Sequence, residues 1–325
     1  MDVSIVIPNL NGRQLLERCL SSLEEQTFSS FEIFVIDNGS ADDSVAWLKS
    51  RHPVVRVIAN ERNLGFGAAV NQGIRASRGQ LVATLNNDTF VEPDWLSTLV
   101  EVAAQHPEMG MFATKMILAH RPDTIDSAGI CVDKLGIAWD RLGGTVDGVE
   151  SSHQVEVFGP CAGAALYRRS MLEEIGLFDE EFFAYLEDVD LAWRAQWAGW
   201  RGLYVPRAKV YHAHSATAKE GSLFKNRLKG RNKVWLLCKN YPFPSLLWYL
   251  APILAFDVLA VGYALLINHD AGALQGRLAA LRGVPAMLGK RRSLVRRVSS
   301  SAMMRRLRPI ELPHRVLNRF SHLRA

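Results

Sequence analysis

Between Val3 and Gln105 the chain alternates short apolar runs with stretches whose apolar residues return every three or four positions. Residues 3–7, 31–36, 54–58 and 81–85 read as buried strands, the first closed by Pro8. Leu15, Leu16, Cys19, Leu20 and Leu23 recur at helical spacing, and residues 65–76 do the same. Pro93 suits a first helical turn that residues 95–105 continue. Such alternation predicts an α/β fold, a mostly parallel sheet with helices on both faces. Ligands of these sheets bind beyond the carboxyl ends of the strands, which selects residues 8–11, 37–40 and 86–88.

The pattern weakens over residues 117–158, where Gly129, Gly136, Gly143, Gly144 and Gly148 suggest loops or a hairpin excursion. It returns with a strand at 163–167, a short helix at 170–175 and a turn at 176–178. A helix at 186–197, strand-like runs at 202–205 and 209–211, and a basic helical stretch at 219–240 follow. Residues 245–267 then form a mainly apolar run with Asp257 as its only charged residue, and Tyr241, Phe243, Trp248 and Tyr249 are placed as at a membrane interface. Basic segments flank this run on both sides, and Pro252, Gly262 and Asp257 interrupt it. A single span, a surface-lying or re-entrant helix and a subunit contact in a homo-oligomer are all open. Beyond it, Leu274, Leu278 and Leu281 share one helical face with Arg277 and Arg282 off it, as in an interfacial helix.

With 48% hydrophobic and 22% charged residues in 325, the chain can bury a sizeable core, so disordered, collagen-like and disulfide-scaffold classes are excluded. Cys19, Cys131, Cys161 and Cys238 lie far apart with no Cys-x-x-Cys pair, which fits a reducing compartment. The first residues enter a strand without a basic lead-in, so no signal peptide is expected and a cytoplasmic location is. The formal charge of +5 is unevenly spread: residues 271–325 hold thirteen Lys or Arg against Glu311 alone, leaving −7 on the rest. A basic tail on an acidic body suits an anionic membrane surface. Nucleic acid is not expected, because Phe320 is the tail's sole aromatic residue.

Asn86-Asn87-Asp88 offers hard oxygen ligands of the kind Mg²⁺ or Mn²⁺ accepts beside a diphosphate, although the same triplet makes a good polar turn. Glu187-Asp188-Val189-Asp190 sits between Phe182, Phe183 and Tyr185 on one side and Leu191, Trp193 and Trp197 on the other. Acids there complement a helix dipole, and a carboxylate fixed between aromatic walls can also act as a general base. His212 and His214 follow a strand-like run and are candidates for a metal or phosphate role.

Five segments in order carry a resemblance: Ser4–Asn11 (SIVIPNLN), Val35–Ser40 (VIDNGS), Asn63–Gly67 (NLGFG) with Asn71, Leu85–Asp88 (LNND), and Gly176–Glu180 running on to Glu187–Leu191. The chain resembles family 2 glycosyltransferases, most closely their bacterial rhamnosyltransferase branch, over about residues 1–240. The resemblance implies a GT-A fold with a donor half to about residue 115, an acceptor half to about 240, and a helical extension over 241–325. It implies that Asp37 accepts the imide N–H of uracil or thymine, with Pro8, Asn11 and Asn38 beside the base and ribose. Asn63, Gly67, Asn71, Asn86, Asn87 and Arg231 would complete the donor site, Arg231 near the diphosphate. Asp88 and His212 would hold Mg²⁺ or Mn²⁺, His214 being the weaker candidate. Asn86 stands where the family often has a first aspartate, which removes one anionic ligand. Asp188, with Glu187, would be the general base.

The expected activity is therefore inverting transfer of a sugar, rhamnose from dTDP-rhamnose in the first instance or another dTDP- or UDP-sugar, to a lipid-linked or polysaccharide hydroxyl. The expected place is the inner face of the cell membrane. A nucleotidyltransferase is the alternative enzyme, but residues 9–13 poorly match its Gly-rich basic loop. A non-catalytic glycan-binding relative is opposed by the intact Asp37, Asp88 and Asp188.

Overall fold

In the computed structural model, which describes residues 1–213 and 222–311, four parallel strands stand in the order β3 (Arg56–Ala59), β2 (Phe31–Asp37), β1 (Val3–Asn9), β4 (Leu81–Leu85). They are joined through α1 (Arg13–Glu24), α2 (Ser44–Arg51) and α3 (Phe66–Ala76). The chain continues through β5 (Thr89–Val91), α4 (Trp95–Gln105), β6 (Met109–Leu118) and β7 (Arg121–Ser127). A hairpin of β8 (Ile130–Val132) and β9 (Ala138–Asp140) precedes β10 (Val155–Val157), β11 (Ala164–Arg168), α5 (Arg169–Ile175), α6 (Glu187–Ala198) and β12 (Arg201–His212). Past β4 the sheet runs β11, β6, β12, β10, with β5 on β12 and β7 on β6. Six strands point one way, and β5, β7, β10 and β11 oppose them, so the sheet is mixed and mostly parallel.

Alternation along the strands fills two cores. Ile5, Ile7, Val35, Ala83 and Leu85 face α1, α2 and α4, while Val6, Phe34, Ile36 and Val82 face α3, α5 and α6. Fully burying one such side chain contributes roughly 1.5–3 kcal/mol. The least legible strand is β6: all ten of its residues are buried, yet Gly110, Thr114 and Lys115 interrupt its apolar run. Lys115 is tolerated inside because its Nζ meets Asp147 Oδ1 at 2.7 Å. The two runs expected at 202–205 and 209–211 are one strand, β12, with an irregularity between Val205 and Lys209.

The helical C-terminal region comprises α7 (Leu223–Asn240), α8 (Phe243–Leu266), α9 (Gly272–Arg292) and α10 (Ser300–Arg306). Helices α7 and α9 pack at very short range: a Cβ on Gly276 would lie 2.1 Å from the Arg227 carbonyl oxygen. Ala280, Met287, Met303 and Leu307 enter the same core as α6. Part of the basic tail is spent on the body: Lys290 meets Asp179 at 2.6 Å, Arg297 meets Glu174 at 2.6 Å, and Arg306 donates to Gln196. In contrast, α8 keeps only Ile253 buried, and Phe243, Leu247, Trp248, Leu254, Val258 and Leu259 are exposed. Its Asp257 turns inward to Lys233 at 2.6 Å and Arg277 at 2.9 Å. By length and composition α8 could cross a membrane.

Candidate active site

The carboxyl ends of β1, β2 and β4 meet where Asn9 joins two of them: its Nδ2 donates to Asp37 Oδ2 at 3.0 Å, and its Oδ1 accepts from Asn87 Nδ2 at 2.7 Å. Here a cavity of about 1350 Å³ opens. Small-molecule pockets usually hold about 300–1,000 Å³, so the space suits two substrates. Pro8, Asn38, Asn63, Asn86, Asn87, Asp88, Glu187, Asp188 and His212 all line it, as expected from the sequence.

The other expected donor residues do not line it. Asp37 is 1% exposed, and its carboxylate accepts from Asn9 Nδ2, Ser40 Oγ and the Ser40 amide. It therefore builds the β2 turn from inside, and its oxygens are engaged by Asn9 and Ser40. Asn11, at φ 51°, caps the same turn, its Oδ1 accepting from the Ala41 amide at 2.7 Å. Gly67 packs on Phe178, and Asn71 exchanges hydrogen bonds with the Phe178 carbonyl (2.8 Å) and amide (3.0 Å), so both tie α3 to the 176–182 segment. Arg231 donates to the Glu181 and Phe182 carbonyls and lies over the Trp235 ring, away from the cavity. The cations that do line the cavity on this side are Lys225 and Lys229 of α7, 5.2 and 5.9 Å from the Tyr185 ring. Their i, i+4 spacing in a basic helical stretch was the available signal.

At the end of β12, His212 Nε2 lies 3.2 Å from Asp88 Oδ1, and its Nδ1 lies 2.7 Å from Asp126 Oδ2. Burial alone would lower the imidazole pKa, but Asp126 and then Asp88 outweigh it and raise the value to about 10. Asp126, on β7, lies in the stretch where sequence periodicity failed; only the pairing of β6 with both β7 and β12 brings it to His212. Among the described residues, no three His, Cys, Asp or Glu side chains form a closed metal cage. Asp88 and His212 nevertheless fit a divalent cation that draws its remaining ligands from phosphate and water. The Asp126 hydrogen bond would orient the imidazole ligand from behind. His214 lies outside the described residues.

At the start of α6, Glu187 is 7% exposed and Asp188 half-buried. Asp188 accepts from the Ala162 amide through Oδ2 (3.3 Å) and from the Val189 amide through Oδ1 (2.8 Å). Burial first, then the Asp188 charge, pushes Glu187 up to about 8, and burial raises Asp188 as well. The two charges oppose each other, so ionising one disfavours ionising the other. Glu187, the more buried, is the one biased toward its neutral form, and its Oε2 has no hydrogen-bond partner among the described residues. The backbone leading in is unusual: Phe183, Tyr185 and Leu186 have φ of 65°, 68° and 67°. Left-handed conformations at such residues cost roughly 1–3 kcal/mol each and gather at functional sites.

The sequence model of the family described as "Glycosyl transferase family 2" matches residues 4–176. An uncharacterized protein, y4gI, of Sinorhizobium fredii is 29% identical over 245 residues, 71% of this chain and 26% of its own length. This chain thus spans about a quarter of that relative. The N-acetylglucosaminyl-diphospho-decaprenol L-rhamnosyltransferase of Mycobacterium tuberculosis is 34% identical over 229 residues, 62% of this chain and 73% of its own. Among solved structures, GalNAc-T7 with UDP, GalNAc and Mn²⁺ superimposes with TM-score 0.60 at 19% identity, over 73% of this chain and 47% of that one. The mannosyltransferase PcManGT of Pyrobaculum calidifontis, with GDP-Man and Mn²⁺, gives 0.51 at 16% identity, over 88% and 86%. These likenesses establish a GT-A fold.

Proposed function

The chain belongs to glycosyl transferase family 2, and from that premise we propose that it moves a sugar, with inversion, from a nucleotide diphosphate to an acceptor hydroxyl. One observation carries the reading: a single cavity holds the Asp88–His212 pair and the Glu187–Asp188 pair, with room for two substrates. An alcohol is too weak an acid to attack unaided, so Asp188 takes its proton as the new bond forms. Its raised pKa strengthens it as a base, and the neutral Glu187 beside it removes a repulsion that would oppose ionisation. One base acting in one displacement inverts the anomeric centre. Asp88 and His212 would hold Mg²⁺ or Mn²⁺, which when bound supplies positive charge to the departing diphosphate. Pro8, Asn38 and Asn63 form the wall on which the nucleoside rests, and Asp37 acts through Asn9 and Ser40, which it holds in place.

The donor we favour is dTDP-rhamnose and the acceptor a lipid-linked saccharide, supported by the name of the mycobacterial relative. The exposed apolar face of α8 supports a place at a membrane. A spanning α8 would carry Lys233 and Arg277 into lipid with Asp257, so we read it as lying on the cytoplasmic surface. The test is a screen of nucleotide sugars for release of free nucleotide diphosphate in the presence of Mn²⁺ and a prenyl-diphosphate-linked acceptor, with the product's anomeric configuration read by NMR. Release from dTDP-rhamnose with inversion is expected. Release from another sugar nucleotide alone would overturn the donor, and a retained configuration would overturn the mechanism.

A further inference from the structure

The turn that delivers Asp188 does not hold its own shape. Three residues of the 183–186 segment are left-handed without being glycine, and carbonyls within such a turn point away from regular helix or strand partners. Two of these carbonyls, with that of Phe182 just before them, converge on one side chain. Asn232 Nδ2 lies 3.0 Å from the Phe182 carbonyl oxygen, 2.9 Å from that of Ala184 and 2.7 Å from that of Tyr185. Asn232 is 0% exposed, and its Oδ1 accepts from Arg231 Nε at 2.9 Å, which fixes the direction of the amide. Phe183 O accepts from the Phe66 amide at 2.6 Å, on the donor side of the cavity, and Leu186 O from the Asp190 amide at 2.9 Å at the start of α6. The turn is thus clamped from α7 behind and from α3 in front, and it passes directly into Glu187 and Asp188.

We propose that Asn232 is a positioning residue for the base: its amide holds the left-handed 183–186 turn so that Asp188 stays in its seat against the Ala162 amide. This rests on the reading of Asp188 as the base. The side chain chemistry is specific. An aspartate of the same size would set acceptor against three acceptors, and alanine would remove the donor that the three carbonyls share. In either variant the turn relaxes, Asp188 loses burial, and its raised pKa falls toward the ordinary carboxylate value. The Asp188 charge in turn raises Glu187, Cys161 and Tyr167, its titratable neighbours, and Asn232 reaches the site through the 182–185 carbonyls and not through these groups.

The experiment compares the full-length protein with N232A, N232S and D188N. Expected for N232A is a kcat lower by about 10–100-fold, the usual cost of misplacing a catalytic group by about 1 Å. Binding of nucleotide diphosphate should stay within about twofold by calorimetry, because relaxing the turn leaves the nucleoside wall intact. The acid limb of kcat against pH should move to lower pH, and N232S, which keeps one donor, should lie between N232A and wild type. A merely structural role would lower the active fraction without moving the pH limb. Wild-type kcat and limb in N232A, an unmoved limb at lowered kcat, or failure of both variants to fold each overturns the proposal. Full turnover in D188N would instead overturn the base assignment, which separates the two failures.

Discussion

The buried charge cluster behind the base helix gives the sharpest stability prediction. Lys239 of α7, 3% exposed, places Nζ 2.7 Å from Asp179 Oδ2 and 2.9 Å from Asp190 Oδ2. Asp190, on α6 and 0% exposed, also accepts from Arg194 and Asn240, and Asp179 also meets Lys290. Removing one partner of a buried pair typically costs about 3–5 kcal/mol because the other charge stays inside. Each aspartate here keeps a second cation, so K239M should cost about 3 kcal/mol, at the low end. For a chain of this size that is a fall of roughly 6 °C in Tm at pH 7. The pH dependence has a fixed sign. Burial alone would raise Asp190, but Lys239 and Arg194 outweigh it and hold its folded pKa near 2, below the ordinary 3.8; Asp179 is lowered likewise. Stability from depressed carboxylates is complete above the ordinary pKa and lost as pH falls toward the folded one. The Tm gap between wild type and K239M should therefore be constant from about pH 8 to 5 and close below about pH 4. Thermal unfolding followed across that range checks it, with D190N/K239M expected to lose less than the sum of the single losses. A gap under about 1 °C at pH 7, or one that widens on acidification, would refute the reasoning.

Asp188→Asn should lower turnover by about 10²–10⁴-fold with nucleotide affinity nearly unchanged, measured as nucleotide diphosphate release and calorimetry. Asp88→Ala should abolish activity, and His212→Ala should weaken its support by Mn²⁺; full activity in excess chelator would contradict both metal assignments. Serine at Leu247, Trp248 and Leu254, exposed on α8, should abolish sedimentation with anionic liposomes that the wild type shows at low salt. Raising salt from 0.1 to 1 M cuts the Debye length from about 10 to about 3 Å and should loosen the wild type only in part. Cutting the chain after Asn240 should give an insoluble product, because Trp235 and the α6 face lose Ala280, Met287 and Met303 from their core.

The arrangement of the first strands and helices was legible because local patterns decide it: β4 and α4 fall at the residues their periodicity marks. The rule that ligands sit at carboxyl strand ends then found Asn86–Asp88 and the β1 end without any coordinate. Sequence also located Glu187-Asp188, since an acidic helix start between aromatic runs is a local feature. What it could not show was which polar residues face the cavity and which face the frame. Asp37, Asn71 and Arg231 carry the right chemistry, but each spends it on neighbours 3, 107 and 50 residues away, Ser40, Phe178 and Glu181. No periodicity records that choice. Asp126 reached His212, and Asn232 reached the turn before Asp188, only because strands and helices distant in the chain were packed side by side. Side-chain type and local spacing are written in the sequence. Satisfaction of buried donors and acceptors is settled by the three-dimensional neighbours, and here it separated the cavity wall from its supports.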